Sequence, residues 1–260
     1  MLCVSRACTI CERWSEERCY DELPLDITIA ILCSTQIGKR FEHLNVLIVR
    51  DVVDDKLYRA LNVESFPQLE HIDLFRVKIN ILPCNSNVRS VTLRSCYYER
   101  REPYIGNDFP YPNARSLFLR SMISKITRKC RLPQLKKLEH LCVSDCIIDD
   151  KLSSNKYPRL RSLSMEGLNV SRGLVISRLK LLHRLQLSGC EQLPQMRNCI
   201  RINVLTLKRV RARDIYKLTN IEQFPELIAL HIECLDPVDL RTLQPHSNLL
   251  KLTLKSTGMI

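Results

Sequence analysis

Four cysteines near the N-terminus, Cys3, Cys8, Cys11 and Cys19, come closest in type and spacing to a metal site. Four thiolates can hold zinc, but structural zinc sites draw their ligands from two close pairs. Only Cys8-x2-Cys11 is close here, and the intervals Cys3-x4-Cys8 and Cys11-x7-Cys19 are irregular. Helical spacing also gathers Val4, Ala7, Cys8, Ile10, Cys11 and Trp14 on one apolar face. The expectation is that no metal is held. The 6 histidines are scattered, and no phosphate-cradling loop, nucleophile elbow or His-Glu-x-x-His sequence occurs. No catalysis and no cofactor are expected.

The remaining chemistry is ionic. Lys and Arg number 40 against 28 Asp and Glu, a net charge of +12, spread without any block of like charges. Some of the cations are nonetheless ordered: Arg50, Arg76, Arg94, Arg120, Lys208, Arg209 and Lys255 sit at equivalent places in a repeated pattern. A guanidinium fork suits carboxylate or phosphate, and Phe75 and Phe118 stand beside the first of these arginines. Such a row calls for a scaffold that repeats.

That scaffold is an apolar frame at positions 1, 4, 6 and 9, clearest in Leu69-x-x-Ile72-x-Leu74-x-x-Val77. It recurs from Leu44, Val88, Ala114, Leu138, Leu160, Leu182, Ile202, Leu227 and Leu249, at intervals of 19 to 26 residues. Side chains alternate along a strand, so positions 4 and 6 share one face and 5 and 7 the other. Ten copies in order predict a solenoid whose repeats bury their apolar edges against one another. Positions 5, 7 and 8 are then free of core duty. Basic residues fill 7 of the 20 sites at positions 7 and 8, where composition alone would place about 3.

Between frames, Asp54 to Leu61, Ile147 to Leu152 and Asp214 to Leu218 predict short return helices, the first capped by Asp54. Phe66-Pro67, Tyr111-Pro112, Leu132-Pro133, Tyr157-Pro158 and Phe224-Pro225 predict where each return stops and the next strand begins. Residues 97–111 hold Tyr97, Tyr98, Tyr104, Phe109 and Tyr111 among turn formers. They read either as an irregular loop with its aromatics packed beneath it or as a protruding contact loop.

The 13 cysteines include Cys96, Cys146 and Cys190 at frame position 9, where a buried thiol ties down the chain leaving the strand. No secretory signal and no apolar run of membrane-spanning length is seen. Reduced thiols in the cytoplasm or nucleus, and no membrane, are the expectation.

The run Ile10-Cys11-Glu12-Arg13-Trp14, followed by Tyr20-Asp21, resembles the closing helix of an F-box. That family shows an apolar-Cys-Lys-Arg-Trp signature and then an aromatic-Asp pair, and Glu12 departs from its basic residue. With the repeats downstream, the chain resembles the F-box/leucine-rich-repeat family. The resemblance implies a leucine-rich-repeat horseshoe of α/β solenoid class, with a parallel concave sheet and short irregular convex helices. Residues 1–22 would be a partial F-box-like segment, 23–40 a linker or N-terminal cap, and 41–260 the solenoid. It also implies a recognition subunit of a cullin-type ubiquitin ligase, with Ile10, Cys11 and Trp14 toward the ligase adaptor. The concave residues Arg50, Phe75, Arg76, Arg94, Phe118, Arg120, Lys208 and Arg209 would hold an acidic or phosphorylated protein partner. A plain interaction scaffold is the alternative, and nucleic-acid binding, which rests on charge alone, a remote one.

Overall fold

The computed structural model describes residues 45–50, 66–76, 85–98, 109–124, 129–130, 132–148, 151–167, 174–190, 193–211, 215, 224–236 and 248–256. The segments 1–22 and 23–40 and the helix expected at Asp54 lie outside them.

Seventeen strands are described. In chain order the first nine are β1 (Val46–Arg50), β2 (His71–Phe75), β3 (Ser90–Arg94), β4 (Tyr97–Tyr98), β5 (Ser116–Arg120), β6 (Ile123–Ser124), β7 (Lys129–Cys130), β8 (His140–Ser144) and β9 (Ile147–Ile148). The rest are β10 (Leu152–Ser153), β11 (Ser162–Glu166), β12 (Val175–Ser177), β13 (Arg184–Ser188), β14 (Gln195–Arg197), β15 (Val204–Val210), β16 (Ala229–Cys234) and β17 (Lys251–Ser256). Ten form one parallel sheet in the order β1-β2-β3-β5-β8-β11-β13-β15-β16-β17. The molecule is a parallel β-solenoid.

Its register is the apolar frame. Ile72 faces Val91, Val91 faces Leu117 and Leu117 faces Leu141, so position 4 stacks on position 4, as position 6 does on position 6. Both rows are buried from β2 to β16, and positions 1 and 9 extend the same core. Each fully buried Leu or Ile contributes about 1.5–3 kcal/mol relative to exposure. A one-residue slip would turn a whole row out to solvent.

The entry to each strand is a tight turn. The amide of Leu69 donates to the Phe66 carbonyl at 3.2 Å, and Ala114 to Tyr111, Leu160 to Tyr157 and Leu227 to Phe224 repeat the contact. Proline at the second turn position sets φ, and the aromatic before it is buried. Leu132-Pro133 departs from the expectation: the turn there begins three residues later, with the Leu138 amide donating to Leu135. Successive turns are stapled by asparagines that the sequence reading does not single out. The side-chain amides of Asn87, Asn113 and Asn248 donate to the carbonyls of Pro67, Ser86 and Pro225, at 2.7, 2.8 and 3.0 Å.

The exit from each strand is as regular. Position 8 has positive φ in seven consecutive repeats, at Arg76, Ser95, Ser121, Asp145, Gly167, Gly189 and Arg209. Its amide donates to the position-7 carbonyl of the next repeat, as Arg76 does to Arg94 and Ser121 to Ser144, both at 2.9 Å. The position-9 thiols lock this bend. Cys96 donates to the carbonyl of Leu74 at 3.3 Å, Cys146 to Ser144 at 3.1 Å and Cys190 to Met165 at 3.8 Å. Burial pushes the Cys146 thiol up to about 11, against hydrogen bonds that lower it.

The returns differ from expectation. Ile147 and Ile148 form β9, and Leu152 lies in β10, where a helix is expected. Short parallel ladders β4-β6, β7-β9 and β10-β12-β14 run along the returns. Among the described residues only Ile215 is helical, its amide donating to Arg211 at 3.4 Å. These returns are too short to nucleate a helix and carry β-branched pairs. Stacked coils offer their backbone groups partners in the neighbouring coil instead. Between residues 97 and 111, Phe109 and Tyr111 pack edge to face in the core, centroids 5.4 Å apart, and the backbone of Tyr97–Tyr98 pairs with β6.

One repeat slips. Past Lys208 the register of β15 against β16 shifts, so Val210 meets Cys234 rather than Leu235. Cys234 is buried and donates to the Val210 carbonyl at 3.2 Å, while Leu235, the expected frame residue, is 46% exposed.

Candidate functional site: the open face of the ten-stranded sheet

Positions 3, 5 and 7 project from the sheet face opposite the core, in three rows along its length. The alternation is plain in β2, where His71, Asp73 and Phe75 are partly or fully exposed and Ile72 and Leu74 are buried. Position 8 flanks the row at position 7 through the left-handed bend. The frame predicts positions 5, 7 and 8 on this face; position 3, with His71, His140, Arg184 and Lys251, belongs to it as well.

At the N-terminal end, Phe75 is the centre of an arginine cluster. The guanidinium carbon of Arg76 lies 4.8 Å from its ring centroid and that of Arg94 lies 5.8 Å away. Phe118 is half-buried two strands on, next to Arg120 along the rows at positions 5 and 7. Aromatic and arginine side chains exposed together are the composition of protein interface centres. The backbone of Arg50 closes β1 beside Phe75, and Ile10, Cys11, Trp14 and Tyr104 lie outside the described residues.

The arginines are not all waiting for an anion. Arg94 grips Asp73 with both ends of its fork, Nε to Oδ1 at 3.2 Å and Nη2 to Oδ2. Arg120 Nε stands 3.6 Å from Asp145 Oδ2, which also accepts from the Ser144 hydroxyl. Arg209 spans two repeats to reach Glu166 at 2.8 Å and Ser188 Oγ at 3.3 Å. A Cβ on Gly189 would make ordinary contact with the Arg209 guanidinium, at 3.5 Å, whereas one on Gly167 would meet Asp145 Oδ1 at 2.5 Å. These carboxylates were readable as acids at positions 5, 7 and 8 of neighbouring frames; counting cations alone passes over them.

Cations outside any ion pair gather toward the other end. Among the described residues no ion pair holds Arg184, Lys208, Lys251 or Lys255, and Glu233 is the acid set among the last three. Burial raises the Cys142 thiol, in the row at position 5 between Phe118 and Ser164, against a Ser164 hydrogen bond that lowers it. Among the described residues no cluster of three or more His, Cys, Asp or Glu could hold a metal, and no helix is long and apolar enough to cross a membrane.

No protein-family model, curated protein or solved structure matches the chain.

Proposed function

We propose that the chain is a protein-recognition module of the leucine-rich-repeat kind, and that it recognises its partner on the open face of the ten-stranded sheet. The observation that carries this reading is the Phe75 cluster. A half-buried aromatic with two guanidinium groups on its ring stands on an in-register sheet, and core duty does not explain it. Rigid strands hold such anchors at little entropic cost on binding. The N-terminal half then contributes aromatic and arginine contact area, with Arg120, 60% exposed, able to exchange Asp145 for a partner carboxylate or phosphate. Cations outside any ion pair farther along extend the preference for acidic partners.

The resemblance of residues 10–21 to an F-box extends this proposal to target selection for a cullin-type ubiquitin ligase in the cytoplasm or nucleus. The competing reading is an interaction scaffold without a ligase. Titrating the ligase adaptor into the purified chain separates them: saturable binding that Trp14→Ala removes supports the ligase reading, and no binding leaves the scaffold. The shared claim is tested by a photo-crosslinking residue placed at Phe75, at Phe118 or at the exposed Ile200 of a turn. The first two should capture a common protein that the third does not.

A further inference from the structure

The turns that open the strands form one edge of the solenoid, and in its middle coils that edge is basic. From β5 to β15, five neighbours in the sheet, the two tip residues of each entry turn and positions 1 and 2 make 20 sites. Lys and Arg fill 7 of them, where composition alone would place about 3, and Glu139 is the one acid. All seven cations are exposed. On the exit edge, by contrast, Arg120 pairs with Asp145 and Arg209 with Glu166. Glu139 is shared at long range between Arg115, at 4.0 Å, and Arg161, at 3.9 Å, whose side chains stay 58% and 60% exposed. Lys136 donates to the Asn155 carbonyl. Among the described residues no ion pair or side-chain hydrogen bond holds Lys137, Arg159, Lys180 or Arg201. Three of these stand where the fold has another use for the side chain. The second tip residue is Asn87, Asn113 and Asn248 in the third, fourth and tenth repeats, and each staples its turn to the preceding coil. The fifth, sixth and eighth repeats place Lys137, Arg159 and Arg201 there and give up the staple, so stability does not explain these cations.

We propose that this strip, from Arg115 to Arg201, binds the phosphodiester backbone of duplex nucleic acid without regard to sequence. Adjacent strands lie about 4.8 Å apart, so the strip runs about 19 Å along the stack. That length matches about five successive phosphates on one strand of a duplex, at about 3.4 Å of axis each. Backbone contact is also what the side chains allow. Tyr111 and Tyr157, the aromatics of these turns, are buried, so no platform is offered to unpaired bases. The apolar residues of the strip are buried as well, apart from Ile200 and the half-buried Leu181, which leaves little to insert into a membrane. The strip shares no residue with the Phe75 cluster, so this proposal and recognition on the open face fail separately.

The test is fluorescence anisotropy of the full chain with a short labelled DNA duplex, titrated at several salt concentrations. Five phosphate contacts give log affinity against log salt a slope of about −4, and a duplex of unrelated sequence should bind equally. Replacing Lys137→Gln, Arg159→Gln and Arg201→Gln together should flatten that slope by about 3 and weaken binding at low salt about tenfold or more. Lys151→Gln, Arg197→Gln and Arg211→Gln remove the same charge from exposed residues outside the strip. That control should leave the slope unchanged and the affinity within about twofold, because salt screens distant charges. Equal losses in the two triple variants, a slope that the first does not change, tighter binding to a single strand or to vesicles containing phosphatidylserine, or no binding would each overturn the proposal.

Discussion

Arg94 and Asp73 join β3 to β2 across the open face, both nitrogens of one fork on both oxygens of one carboxylate. The pair sits beside Phe75 and sets how much of the arginine a partner can use. Its side chains are 33% and 26% exposed, so solvent screens it, and its own worth to folding is within about 1 kcal/mol. A double-mutant cycle of Arg94→Ala and Asp73→Ala in urea should return a coupling of that size. The partner should respond more strongly: Asp73→Asn frees Arg94 and should tighten binding of an acidic partner, measured by titration calorimetry.

The core rows make a sharper stability prediction. Leu141→Ala and Leu185→Ala remove buried side chains and should each cost about 2–5 kcal/mol in denaturant unfolding. Leu235→Ala, at the repeat where the register slips, should cost under about 0.5 kcal/mol because that side chain faces water. Equal losses at Leu185 and Leu235 would refute the slip at Cys234.

Ile72, Leu74 and their counterparts made the sheet legible, because positions 4 and 6 must alternate with solvent-facing neighbours and ten copies leave one consistent register. The buried cysteines at position 9 and the turns that open on an aromatic and proline were legible for the same reason, being tied to the frame; the turn after Leu132-Pro133 was not. The returns were not. Ile147, Ile148 and Leu152 fit a helix face by spacing, and only the stacking of adjacent coils decides for strand. Arg94 and Arg209 were legible as surface cations, but their partners Asp73 and Glu166 lie one and two repeats away, a distance that no pattern within a repeat reports.

Two glycines at the same frame position should respond differently to alanine. Gly167 and Gly189 both have φ of +57°, which costs an L-residue roughly 1–2 kcal/mol. Only at Gly167 would the new Cβ also strike Asp145, so Gly167→Ala should be the more destabilising of the two. Adding Asp145→Ala should recover the difference, as read from paired thermal unfolding curves.

Alkaline pH should weaken the fold through Cys146. Its thiol is raised from 9.0 to about 11 in the folded chain by burial, so the unfolded chain releases this proton first. Stability from this group is intact below 9.0 and falls as pH rises toward about 11. Denaturant midpoints across that range should decline in the parent chain and less in Cys146→Ala, after correction for the lower starting stability of the variant.

Recognition by the open face is tested most directly by affinity for the protein captured from Phe75. The paired variant Phe75→Ser, Phe118→Ser should lose at least about tenfold in affinity, the scale of two interface anchors, at a temperature where the variant is still fully folded. An exchange of Ile200→Ser on a turn should leave that affinity unchanged. If the open-face pair binds as tightly as the parent, or if Ile200→Ser weakens binding equally, recognition does not take place on this face.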